Sequence, residues 1–135
     1  MANIYVRSTD GSNADNGSTW ALAKASLAGA DAIDAAGDNI YVSQVHSETS
    51  AATVTLTFAG TTPNPTRLVC ANDGAQPPTA VAATAVVATT TTAQIVINGS
   101  LYAYGMVFKC GSGASNGSIG TGVEGNIQIL DNCAF

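Results

Sequence analysis

Beyond Gly37 the chain offers its apolar residues only as short β-prone runs, set apart by Thr, Gly, Asn and Pro, and no later stretch carries a helical period. This constrains the fold more than any other feature, because short runs must be buried by stacking against one another. Ile40-Tyr41-Val42 comes first, and Val54-Thr55-Leu56-Thr57-Phe58 alternates strictly, with one face for a core and one for threonines. Arg67-Leu68-Val69-Cys70 follows Pro63 and Pro65. After a loop from Ala71 to Pro78 and a low-complexity Ala/Val/Thr stretch from Ala80 to Thr92 come Ile95-Val96-Ile97, Leu101-Tyr102, Met106-Val107-Phe108, Ile127 to Leu130 and Cys133-Ala134-Phe135.

The first part reads differently. Ile4 to Arg7 is a short strand, and Asp10 to Gly17 consists almost wholly of turn formers. Ser18 or Thr19 can cap a helix whose buried face is Trp20, Ala23, Leu27 and Ala30, with Ile33 beside the stripe and Gly37 as C-terminal cap. Asp31, Asp34 and Asp38 oppose the dipole of such a helix, so packing must hold it.

Composition narrows the partners. Hydrophobic residues make up 46% of the 135, mostly Ala and Val, which suits narrow stacked layers better than a wide interior. Only 10% are charged, against about 25% in ordinary domains. Four basic residues against nine acidic ones leave no basic patch for phosphates, which argues against nucleic-acid binding. No apolar stretch approaches the ~20 residues of a membrane span. Met1 to Tyr5 lacks the features of a signal peptide, so synthesis in a cytoplasm, a soluble product and no membrane partner are expected. Cys70, Cys110 and Cys133 match no zinc spacing and read as free apolar side chains.

The last third repeats weakly. Leu101 to Phe108 lies over Ile127 to Phe135 with one insertion, placing Phe108 on Phe135, 27 residues later. Such a period suits a solenoid coil, although a β-sandwich satisfies this periodicity as well. The start of the chain is more telling. Asn3 to Gly11, Asp15 to Ala21 and Gly37-Asp38-Asn39-Ile40-Tyr41-Val42 together resemble the capping end of pectate-lyase-like right-handed parallel β-helices. Ile129 to Phe135 is similar to coils of that family with an Asn-Cys-x-Phe ending, and the closest texture is that of tailed-phage tail spikes, tail fibres and capsid-decorating proteins.

The resemblance implies an all-β fold, a right-handed parallel β-helix with an N-terminal capping α-helix. Residues 1–38 would form the cap and 39–135 the coils, continuing or covered by a partner beyond Phe135. The cap residues are Trp20, Ala23, Leu27, Ala30 and Gly37; the coil core is Ile40, Val42, Leu56, Phe58, Ile95, Ile97, Phe108, Ile129 and Phe135. The implied function is a non-catalytic virion component, a capsid decoration or cement protein on the particle surface. Its partners would be the major capsid protein or tail components, and it would be a homo-oligomer, by analogy a trimer. The alternative is the N-terminal part of a tail spike or fibre with host polysaccharide binding or depolymerase activity.

The residues offer little chemistry of their own, and no cofactor or metal is expected. Glycoside hydrolysis needs two carboxyl groups flanking one bond, and the best available pair is Glu124 with Asp131. His46-Ser47-Glu48 invites a general-base reading, but a lone histidine there reads as a surface or turn residue. Asp10, Ser12, Asn13, Asp15 and Asn16 offer oxygen ligands without calcium-loop spacing, and an Asx-rich turn accounts for them. Tyr102 and Tyr104 could stack on a sugar; the alternative is one buried and one edge tyrosine.

Overall fold

The computed structural model describes residues 1–111 and 125–135. Its fold is all-β, with very little helix. The strands are β1 (Asn3–Val6), β2 (Asn39–Ser43), β3 (Ser47–Ser50), β4 (Val54–Thr57), β5 (Thr66–Ala71), β6 (Ala85–Thr89), β7 (Ile95–Asn98), β8 (Leu101–Tyr104), β9 (Met106–Lys109) and β10 (Gln128–Asp131). They form three sheets, ordered β1-β2-β5-β8-β10, β3-β6-β9 and β4-β7. All strand pairs are parallel. The chain visits the sheets in a fixed order, β2-β3-β4 and then β5-β6-β7, so each strand lands beside its predecessor.

Parallel register turns sequence alternation into columns of like side chains. Ile4, Ile40, Leu68 and Ala103 lie opposite one another in the five-stranded sheet, and all are buried. Val87 and Phe108 form a second buried column, Leu56 and Ile97 a third. The three columns meet in one apolar core. Burying each large side chain contributes about 1.5–3 kcal/mol, and small residues such as Ala85 and Ala103 let the layers close.

Leu101 pairs with Gln128, and Phe108 stacks on Phe135 at 6.1 Å between ring centroids. The two segments therefore align without an insertion. Gly105 (φ 71) and Asn132 (φ 49) take the same left-handed corner in successive layers. Glycine adopts that conformation freely and asparagine tolerates it.

Several expectations need correction. The helix from Ser18 or Thr19 to Gly37 is two separate pieces, a 3-10 turn at Trp20–Leu22 capped by Thr19 and α1 (Leu27–Asp31) capped by Ser26. Between them Ala23 is extended and Lys24 bridges to Val6. Pairing there gives partners to the free edge of β1, which a continuous helix would leave open. The supposed stripe consequently serves two cores. Trp20 and Ala23 pack with Tyr5, whereas Leu27 and Ala30 join the main core. Ile33 is exposed, and Gly37, at φ 85, makes a turn ahead of β2 rather than capping a helix. In the coil core Ile40, Val42, Leu56, Phe58, Ile95, Ile97 and Phe108 are buried. Ile129 is 53% exposed, because register places it opposite outward Tyr102 while Leu130 faces inward opposite Ala103. Phe135 is 69% exposed, with Phe108 covering one face. Two strands had no clear sequence signal: β3, which is polar, and β6, inside the Ala/Val/Thr stretch.

Candidate functional site

The acidic and polar residues of the first 38 positions are placed mostly on backbone groups. Asp31 accepts from Thr57 N–H at 3.0 Å, and Asp34 accepts from Ala59 N–H at 3.0 Å and the Thr66 hydroxyl at 2.9 Å. Burial pushes both carboxyls above their ordinary range, and these hydrogen bonds pull the other way. Asp38 accepts from Ala2 and Ala35 N–H. Asn13 accepts from the Ala25 and Ser26 N–H groups, Asn16 from Ser18 N–H, and Asp10 pairs with Arg7. These turn residues serve the chain itself.

His46 is 1% exposed, contrary to the surface reading. Neither ring nitrogen has a hydrogen-bond partner among the described residues, and Nε2 lies 3.7 Å from Glu48. Glu48 sits in β3 and accepts from Leu27 N–H at 3.2 Å, which ties the sheet to the first turn of α1. Glu124 falls outside the described residues, so its pairing with Asp131 has no geometry here. Asp131 itself accepts from the Tyr102 hydroxyl at 3.1 Å. The three cysteines are free, Cys70 buried and the others half-buried, and burial raises the Cys133 thiol.

A groove of about 970 Å³ lies on the outer face of the five-stranded sheet. Two outward columns make its floor. Asn39, Arg67, Tyr102 and Ile129 follow one another in register in the first, Tyr41 and Val69 in the second. Pro65 closes one side and Pro78 to Val81 the other. Tyr104 continues the second column beside Val69, so Tyr102 and Tyr104 both face outward and are half-buried. Residues two apart on a strand share a face, which is why the expectation of one buried and one edge tyrosine fails.

The loop behind the groove is clamped to the cap. Trp20 Nε1 donates to Ala75 O at 2.9 Å and Trp20 N–H to the Gln76 side chain at 3.0 Å. Asp73 accepts from the Ser43 hydroxyl at 2.6 Å and lies 3.6 Å from Arg7. Arg7 in turn sits over the Trp20 ring. Trp20, singled out as a cap residue, thus also holds the loop that leads into the groove wall at Pro78 to Val81.

Arg67 is the only charged residue lining the groove among the described residues. Sequence reading placed it in a strand and gave it no role. Its signal was available, since an alternating run puts Arg67 and Val69 on the face opposite Leu68 and Cys70. Within the groove it lies close enough to Tyr102 to lower that phenol's pKa, against the larger upward push of the bond to Asp131. No protein-family model, curated protein or solved structure matches the chain.

Proposed function

We propose that the chain is a right-handed parallel β-helix, capped at one end by residues 1–38, and that it acts as a non-catalytic structural component of a tailed-phage virion. Its place would be the particle surface, as a capsid decoration or cement protein, bound to the major capsid protein and self-associating, by analogy as a trimer. The fold reading rests on the fixed order in which the chain visits three parallel sheets, with Ile4, Ile40, Leu68 and Ala103 stacked in one column. The virion assignment rests on the resemblance of Asn3–Gly11, Asp15–Ala21 and Gly37–Val42 to the capping end of pectate-lyase-like β-helices, with tailed-phage proteins the closest in texture. The single observation that best supports a structural role is the use of the carboxylates. Asp31, Asp34 and Glu48 each hold backbone N–H groups at the cap. Intact mass and copy number on purified particles test this reading. Hundreds of copies per particle are expected; absence from the particle would overturn it.

The groove favours a second reading, the N-terminal part of a tail spike or fibre that binds host polysaccharide. Its clamped wall and half-buried tyrosines offer a preformed surface. A handful of copies, in a much longer polypeptide, would select it.

A further inference from the structure

We propose that the groove on the five-stranded sheet binds a carboxylate-bearing oligosaccharide, with Arg67 as the anchor for the acid and Tyr41 and Tyr102 as platforms for sugar rings. The inference rests on the polysaccharide-binding reading and names its ligand class.

Charge complementarity selects the occupant. Among the described residues, Arg67 is the sole charged group lining the groove, and no hydrogen bond or ion pair holds its guanidinium. Asp131, in β10 of the same sheet, is engaged by the Tyr102 hydroxyl at 3.1 Å and is not among the described groove-lining residues. A guanidinium presents a planar fork that fits one carboxylate. One cation cannot neutralise the closely spaced charges of a nucleic acid, which needs a row of them.

The surroundings suit sugar rings. Arg67 lies opposite Asn39 on one side and Tyr102 on the other, at the ~4.8 Å spacing of neighbouring strands. Tyr41 and Val69 flank it in the adjoining column. Tyrosine offers an apolar face for the C–H side of a sugar and a hydroxyl at its edge. A volume of about 970 Å³ lies at the upper end of small-ligand sites, which run to about 1,000 Å³. Because Asn72 accepts from the Thr79 and Ala80 N–H groups of the wall, little ordering is needed on binding.

The test is calorimetric titration of the whole chain with three probes of matched length. These are a tetrasaccharide alternating glucuronate with N-acetylglucosamine, neutral chitotetraose, and tetraglutamate. The acidic saccharide is expected to bind roughly ten- to a hundred-fold tighter than the neutral one, as one charge-assisted contact allows. Arg67→Gln should abolish that preference with an unchanged melting temperature, since the side chain is exposed. Tyr102→Ala should weaken both saccharides. Equal affinity for the two saccharides would overturn the acid inference and leave the polysaccharide reading standing. So would a preference that survives Arg67→Gln. Binding of neither saccharide would remove both, and tetraglutamate matching the acidic saccharide would assign the groove to a peptide.

Discussion

The two ends of the stacked sheets treat their outermost strands differently. At the N-terminal end, each edge strand has been given partners. The N–H of Tyr5 donates to Gly17 O at 2.8 Å, and its carbonyl accepts from Lys24 at 2.8 Å. Ser47 in β3 donates to the Ser8 hydroxyl at 2.9 Å, while Thr57 and Ala59, at β4, donate to Asp31 and Asp34. At the other end, β10 has β8 on one side and no strand on its other side among the described residues. Ile127, Ile129 and Phe135 lie half or more exposed there. Unpaired edges invite association. The contrast teaches that the polar residues crowding positions 8–38 serve as edge partners for backbone that no further strand covers.

Comparing Leu27→Ala with Phe135→Ala should break the two ends apart most clearly. Leu27 is wholly buried where α1 meets the core, so truncation should cost about 2–5 kcal/mol. Phe135 is 69% exposed, and its truncation should cost under about 1 kcal/mol, as most surface substitutions do. Denaturant unfolding reads both. Similar losses would mean that the far end is as closely packed as the cap.

Asp34→Ala removes the acceptor for Ala59 N–H and the Thr66 hydroxyl and should cost about 1–3 kcal/mol. Asp34→Asn keeps an acceptor and should cost less. The pH dependence sharpens this. The folded state raises the Asp34 pKa, chiefly by burial, above its ordinary 3.8. The folded chain therefore binds that proton more tightly than the unfolded chain does. The resulting stabilisation is full below 3.8 and is lost as pH rises through the folded value. Relative to Asp34→Asn, the wild-type chain should gain stability as pH falls from neutral towards 4. A loss instead would mean that the hydrogen bonds to Ala59 and Thr66 outweigh burial.

How much of this was legible follows from which signals are local. Val54 to Phe58 shows its buried face by alternation, and Leu56 and Phe58 are buried. The repeat of Leu101–Phe108 in the last residues was legible where Phe108 meets Phe135, but its register was not, since the insertion set Leu101 over Ile127 instead of its partner Gln128. The break at Ala23 was not legible, because spacings of three and four fit one helix, and only the free edge of β1 makes Lys24 pair there. His46, read as a surface or turn residue, was misread because it leads into a strand that forms only by long-range pairing. A polar run such as Ser47–Ser50 becomes a strand through pairing with Val86–Thr89, distant in sequence. The groove was half legible. Tyr102 was noticed as a possible sugar platform, but its alignment with Arg67 depends on loop lengths that no pattern encodes.

Trp20→Phe separates packing from clamping within the cap. The ring stays against Tyr5, whose centroid is 4.8 Å away, while the Nε1 bond to Ala75 O is lost. A loss of about 1 kcal/mol is expected. Amide exchange should speed up around residues 73–78 with little change in β2 and β5. Uniform acceleration would show that the loop is not a separate unit and that the groove wall draws its order from the whole fold.

Ser8→Ala should have the smallest effect. It deletes the acceptor for Ser47 N–H on the cap side of β3. Ser47 is exposed, so water can replace the hydroxyl, and the expected cost is about 0.5 kcal/mol or less. Its value lies in the comparison with Asp34. Both substitutions release an exposed backbone N–H, and they differ in that Asp34→Ala also leaves the hydroxyl of buried Thr66 without its acceptor. If Ser8→Ala cost as much as Asp34→Ala, the buried Thr66 hydroxyl would not be what makes Asp34 matter.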